Sequence, residues 1–375
     1  MRYYLIAGEA SGDLHASFLM KALKVEDPQA TFRAWGGDLM HDQGAELVKH
    51  YRNLAFMGFM EVAIHLPVIL KNFRFCERDI LNYKPDALIL IDYPGFNLRM
   101  AKFASKHGIR VFYYISPQLW AWRSSRVKTI KKYVDRMFVI LPFEKEFYAK
   151  YKYPVDFIGH PLLDVICERM ANAASSDFRL RNSLTNHPII ALLPGSRKME
   201  IEKMLHDMLS VKDYFPDYQF VIAAAPGIPQ QFYEAWTRIT EVRVVFNQTY
   251  DLLHHSEAAL VTSGTATLET ALMEVPQVVC YRGNYFSYLI ARWVVKIKFI
   301  SLVNLIAEKK VVEELIQSDL NKPHLIKSLK SILKDGANRK RIIRDYQEIK
   351  NRLGGSGASE RAAHLMVQYL MKKKV

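Results

Sequence analysis

Residues 87–95 read ALILIDYPG, an unbroken apolar run closed by Asp92 and a Tyr93-Pro94-Gly95 turn. A strand with no polar residue has no wet face, so this run belongs in a parallel sheet covered by helices on both sides. Helix-like spacing then continues to Lys106, and a second apolar strand follows at 110–115. Strand, turn, helix, strand is the crossover unit of a parallel α/β sheet, and its handedness is right.

The same grammar extends in both directions. Upstream, the short run at 3–7 enters the turn Gly8-Glu9-Ala10-Ser11-Gly12-Asp13, after which Leu14, Phe18, Leu19 and Leu23 recur at helical spacing. Another strand-to-turn passage is 31–37, and strands at 137–141 and 156–158 continue the series. A polar stretch at 172–187 separates it from a second series, with strands at 189–193, 218–224, 242–246, 258–262 and 278–281. The chain has 375 residues, more than one core usually serves. Two doubly wound, Rossmann-like α/β domains are therefore expected, at 1–170 and 188–350. The tail shows helical patterns at 311–316, 322–334 and 338–353, and a last helix within 358–375, which is expected to cross back to the first domain.

Composition narrows the function. Half of the residues are hydrophobic and 24% are charged, an ordinary globular balance. The formal charge of +14 favours anionic partners: nucleic acid, an anionic membrane face or a phosphorylated substrate. Cys76, Cys167 and Cys280 are far apart, and no Cys/His spacing suggests a metal site. No apolar run reaches 18 residues, so no transmembrane helix is expected.

Four strand-end turns can carry chemistry. In the turn at 8–13, Glu9, Ser11 and Asp13 stand at a helix start where backbone N–H groups face a ligand, although a plain capped helix is the alternative. Asp92 ends an apolar strand, the place where open α/β sheets put their ligands, and a carboxylate there suits a general base. The alternative is a turn residue bonded to its own backbone. Pro194-Gly195-Ser196-Arg197 follows the first strand of the second domain, where Arg197 could grip a diphosphate through bidentate hydrogen bonds. Ser263-Gly264-Thr265 opens a helix in the manner of a phosphate cradle, with Glu269 one turn in, suited to a ribose diol.

Two segments suggest surfaces. Residues 54–75, LAFMGFMEVAIHLPVILKNFRF, mix large apolar residues with Lys71 and Arg74. Phe56, Met57, Phe59, Met60, Val62, Leu66, Ile69 and Leu70 would contact acyl chains or membrane, with Pro67 interrupting the helix. A core helix packed on the sheet is the other reading. Trp120, Trp122, Arg123 and Arg126 interleave aromatic and basic side chains, as a nucleic-acid or lipid-headgroup surface would.

In combination, AGEASGDLHA (7–16), LAFMGFMEV (54–62), IDYPGFN (91–97), YYISPQLWAWR (113–123), LPFEKEFY (141–148), FIGHPLLD (157–164), LLPGSRKMEI (192–201), SGTATLE (263–269) and SLVNLIAEKKVVEELIQ (301–317) resemble the lipid A disaccharide synthase family. The resemblance implies a GT-B-like fold with two domains facing a central cleft. It implies an inverting glycosyltransferase without metal or other cofactor, acting in lipopolysaccharide biosynthesis. Such an enzyme moves 2,3-diacylglucosamine from UDP-2,3-diacylglucosamine to the 6-hydroxyl of 2,3-diacylglucosamine 1-phosphate, forming a β-1,6 disaccharide and UDP. By motif, Asp92 takes the role of base, and Glu9, Ser11 and Asp13 fall on the acceptor side. Arg197, Ser263, Gly264, Thr265, Glu269 and Asn304 fall on the UDP-sugar side. The same resemblance places the protein in the cytoplasm, peripherally on the inner face of the inner membrane, with an anionic membrane surface rather than nucleic acid as partner and an oligomer possible. Two positions depart from the family pattern: Gly95 replaces an acidic residue and Val303 replaces a proline. The first leaves Asp92 as the base candidate in its turn.

Two other readings compete. An epimerase or peptidoglycan glycosyltransferase acting on UDP-N-acetylglucosamine would share the fold but not need the apolar segment at 54–75. A non-enzymatic basic membrane- or RNA-binding protein would explain the charge, but not Asp92, Arg197 and Glu269 at strand-end turns.

Overall fold

The computed structural model describes residues 1–53, 66–120, 124–172, 177–283 and 298–372. Packing divides the chain into two compact units: Met1–Val165 with Leu353–Val375, and Ile166–Arg352. Each is an α/β unit on one parallel sheet.

The first sheet has seven strands: β1 (Arg2–Ala7), β2 (Thr31–Gly36), β3 (Glu46–His50), β4 (Ala87–Ile91), β5 (Arg110–Tyr114), β6 (Arg136–Val139) and β7 (Asp156–Phe157). They lie in the order β3-β2-β1-β4-β5-β6-β7, every pair parallel. β4 is buried along its whole length, as its apolar run requires. The chain reverses its direction of progress between β1 and β4, so the turns after these two adjacent strands flank a topological switch point.

The second sheet holds β8 (Ile189–Leu193), β9 (Gln219–Ala224), β10 (Arg243–Phe246), β11 (Ser256–Thr262), β12 (Gln277–Tyr281) and β13 (Glu313–Ile316). Their order is β10-β9-β8-β11-β12-β13, again all parallel, with the switch point between β8 and β11. Residues 311–316, expected as helix, instead supply β13 on the edge beside β12. A run this short carries no decisive period, and pairing with a buried neighbour settles its conformation. β3, with the sequence ELVKH, is a polar edge strand that apolar patterning does not announce.

Helix Ala358–Met371 belongs to the first unit and packs against helix Ala10–Glu26. Asp164 accepts from the first three N–H groups of its start, Gly357 (2.6 Å), Ala358 (3.2 Å) and Ser359 (2.9 Å). A carboxylate on otherwise orphaned N–H groups also suits the positive end of the helix.

Helix Leu66–Tyr83 bears on both readings of the 54–75 segment where it can be described. Pro67 is its second residue and so starts the helix rather than interrupting it, since a proline in the first turn forfeits no hydrogen bond. Its inner face carries Phe73, Cys76 and Ile80 into the core, and Ile69 packs against that core rather than pointing outward. On the same helix Asp79 accepts from Arg33 (Nε at 2.9 Å, Nη2 at 2.7 Å) and from the Tyr4 hydroxyl (2.7 Å). Its outer face exposes Val68, Leu70, Phe75 and Leu81 together with Lys71, Arg74 and Arg78. Leu66 opens the helix, and Phe56, Met57, Phe59, Met60 and Val62 lie outside the described residues. Among the described residues no helix is long and apolar enough to cross a membrane.

Candidate active site

The pair of turns at the first switch point is built by close backbone approach. Register places Ala7 of β1 beside Ile91 of β4, so the 8–13 turn and the 92–95 turn emerge side by side. A Cβ on Gly8 would stand 2.4 Å from the Tyr93 ring, which only glycine avoids. Asp92 and Tyr93 are both left-handed, with φ of 41° and 45°. Neither is glycine, and such conformations cost about 1–3 kcal/mol each unless the surroundings hold them.

Asp92 is solvent-exposed as a residue, and neighbouring atoms crowd its carboxyl. That crowding is the main reason its carboxyl is pushed up to about 7. The Glu9 charge pushes in the same direction, and the Tyr93 N–H works against both. A carboxylate that takes up a proton near neutrality matches the requirement for a general base. Glu9 and Ser11 are exposed at the start of helix Ala10–Glu26.

Asp13 has a different job from the one its motif suggests. It lies within that helix, buried, and its carboxylate accepts from the N–H groups of Gly37 (2.8 Å), Leu39 (3.2 Å) and Met40 (3.1 Å). It caps the neighbouring helix Asp38–Asp42 and has no exposed face for an acceptor sugar. Trp120 packs edge-on to Phe143 at 5.0 Å between ring centres, while Trp122 and Arg123 lie outside the described residues. Burial pushes His15 down to about 4 and His160 down to about 3, so both are neutral polar groups at physiological pH.

The second switch point is flanked by the turns after β8 and β11. Arg197 is exposed at the N-cap position of helix Lys198–Leu209. Glu200 folds back so that its Oε2 accepts from Ser196 N–H at 3.0 Å, and a Cβ on Gly195, at φ 114°, would lie 2.3 Å from that oxygen. After β11, Gly264 is the N-cap residue of helix Thr265–Leu272 and Thr265 is exposed. Glu269 is half-buried; burial raises its carboxyl, and a 3.0 Å hydrogen bond from the Tyr250 hydroxyl works the other way. Tyr250, thirteen residues before Ser263, has no motif that marks it as a partner.

Two residues expected on the UDP-sugar side are spent on structure. Ser263 Oγ donates to the Ile300 carbonyl at 3.0 Å. Asn304 is fully buried: Nδ2 donates to Val312 O (3.0 Å) and Glu314 Oε1 (2.9 Å), while Oδ1 accepts from the Val311 and Val312 N–H groups. An amide has two donors and two acceptor lone pairs, so Asn304 has none left for a nucleotide. It ties its helix, Leu302–Ala307, to β13 instead. Among the described residues no group of three or more His, Cys, Asp or Glu side chains could hold a metal ion.

Comparison with known proteins decides between the readings that share this fold. The family model for lipid-A-disaccharide synthetase matches residues 3–368. The chain belongs to the lipid-A-disaccharide synthetase family. Curated lipid-A-disaccharide synthases from Syntrophus aciditrophicus and Trichlorobacter lovleyi are 40% and 37% identical to it, each over 98% of this chain and 97% of the relative. Solved structures with the same fold include UDP-GlcNAc 2-epimerase from Neisseria meningitidis (TM-score 0.67, 12% identity, all of both chains). The glycotransferase of kitacinnamycin is another (TM-score 0.65, 12% identity, 98% of this chain and 99% of the other). These likenesses establish the GT-B fold, which epimerases and transferases share. Membership of the lipid-A-disaccharide synthetase family makes the protein a UDP-sugar glycosyltransferase with lipid substrates.

Proposed function

We propose that the protein transfers 2,3-diacylglucosamine from UDP-2,3-diacylglucosamine to the 6-hydroxyl of 2,3-diacylglucosamine 1-phosphate with inversion, and that Asp92 is the base. One observation carries the assignment of roles. The two turn pairs that hold the candidate residues are the pairs flanking the two switch points, where parallel α/β sheets bind ligands. Asp92 takes the proton from the 6-hydroxyl as that oxygen attacks the anomeric carbon and the bond to UDP breaks. UDP leaves with the bonding electrons. Glu9 and Ser11 bind the acceptor. Arg197 pairs with the diphosphate, the helix start at Gly264 and Thr265 adds N–H and hydroxyl donors, and Glu269 accepts from the ribose hydroxyls.

The assay that tests this mixes the two diacylated substrates with the protein in detergent and follows UDP release and disaccharide mass. Disaccharide formation supports the proposal. No product over several acyl lengths, from folded protein, removes it. Arg197→Ala is expected to raise KM for the UDP-sugar by about tenfold through the lost charge-assisted contact, with the acceptor KM unchanged. Unaltered donor kinetics would remove Arg197 from the diphosphate.

The outer face of helix Leu66–Tyr83 supports peripheral association with the anionic inner face of the inner membrane, because its apolar side chains are interspersed with Lys71, Arg74 and Arg78. Val68→Ser combined with Leu70→Ser changes only exposed positions. The pair is expected to cut sedimentation with phosphatidylglycerol-containing liposomes severalfold without lowering Tm. Undiminished sedimentation would direct the search for the membrane face elsewhere.

A further inference from the structure

The backbone of the Asp92 turn is held by two side chains that arrive from different elements. Tyr113, on β5, donates its hydroxyl to the Asp92 carbonyl at 2.6 Å. Asn97, in helix Pro94–Lys106, donates Nδ2 to the same oxygen at 2.8 Å. The Asn97 amide nitrogen also lies 3.1 Å from the Ile91 carbonyl and 3.4 Å from the Ile6 carbonyl, so it closes the ends of β1 and β4 together. Both side chains are completely buried, and neither can touch a substrate.

Two consecutive left-handed residues without glycine do not keep that conformation by local preference. Something must over-determine it. The two donors converge on the one peptide plane, between Asp92 and Tyr93, whose orientation sets the direction of the Asp92 side chain.

We infer that Asn97 and Tyr113 are positioning residues for the Asp92 base, clamping its carbonyl so that the carboxylate is presented in a fixed direction. The inference rests on Asp92 being the base. Loosening the clamp lets the carboxylate turn toward water. Proton transfer is then slowed while substrate contacts made elsewhere persist, and better hydration lowers the pH at which the carboxyl ionises.

The test uses Tyr113→Phe, which removes only the hydroxyl, and Asn97→Ser, each assayed for disaccharide formation across pH 5–9. Each variant is expected to lose about tenfold in kcat, with both KM values within about twofold of the parent. The acid limb of the kcat–pH profile should move to lower pH. Because the two donors serve one acceptor, the double variant should lose less than the product of the single losses. Should Asn97→Ser fail to fold, Tyr113→Phe alone carries the test. Asp92→Asn is measured beside them. If Asp92→Asn keeps the parental kcat, the base assignment fails and the inference fails with it. If Asp92→Asn is inactive while Tyr113→Phe keeps both parental kcat and parental pH profile, only the clamp is overturned. A kcat loss that merely follows a lowered Tm, with the acid limb unmoved, also overturns it.

Discussion

Asp92→Asn is expected to fold and to lose at least about a hundredfold in kcat, the usual scale for a general base. Asparagine keeps the volume and the turn but cannot accept a proton from the acceptor hydroxyl. The parent should show an acid limb as well. The Asp92 carboxyl sits at about 7, raised by its crowded surroundings and by Glu9, so its basic form, and kcat with it, is lost as pH falls through that value. The same shift has a cost in stability with a definite sign. In the unfolded chain the carboxyl ionises near its ordinary 3.8, well before the folded one does. The contribution of this carboxyl to stability therefore declines as pH rises from about 4 to about 7 and is level above that. Asparagine escapes the penalty. The Tm of Asp92→Asn should match the parent near pH 4 and exceed it at pH 8, while kcat at pH 8 is down at least about a hundredfold. Parental turnover in the variant would take the base role away from Asp92. A Tm difference that does not grow with pH would mean that the carboxyl is not raised.

Deleting residues 354–375 is expected to unfold the first unit and leave the second folded. The deleted helix Ala358–Met371 buries Ala358, Ser359, Ala362, Ala363, Met366 and Val367. Met and Val side chains contribute roughly 1.5–3 kcal/mol each when fully buried, and the helix-start contacts to Asp164 add about 1 kcal/mol. That approaches the whole stability of an ordinary domain, about 5–15 kcal/mol. Further ties go at the same time: Arg361 Nε to Ile158 O at 2.8 Å, the Tyr369 hydroxyl to Asp156 at 3.1 Å, and the Tyr369 ring beneath Arg136. Calorimetry of the truncated chain should show one transition in place of two, with exchange-labile amides across β1–β7 and protected ones across β8–β12. Asp164→Ala is the graded form, removing one cap and lowering stability of the first unit by about 1–2 kcal/mol. A truncated chain whose β1–β7 amides stay protected would show that the helix is dispensable to the unit it packs on.

Much of the fold is legible in the linear sequence because parallel strands covered on both faces must be continuously apolar. β1, β4, β8 and β11 announce themselves in this way, and they are the four strands whose turns flank the switch points. Asp92 is legible as a candidate for the related reason that a polar residue directly after such a run stands at a sheet end, whereas Glu9, Arg197 and Glu269 follow their strands by two, four and seven residues. Edge strands are not legible: β3 is polar, and β13 is four residues whose pairing partner lies 35 residues away, at Val278 beside Glu313. Neither is the employment of a polar side chain once the chain has folded. Asp13 and Asn304 look like ligand residues in their motifs. Asp13 spends its carboxylate on N–H groups 24–27 residues further on, and Asn304 spends its amide on the strand it anchors. The sequence by itself determined two parallel α/β units, their turns and the carboxylate at the end of β4. Tertiary structure alone decided which of the turn residues stay available, and that the Asp92 backbone is left-handed under the hold of Asn97 and Tyr113. A side chain's type is local information; its hydrogen-bond partners are set by which distant backbone groups folding leaves without one.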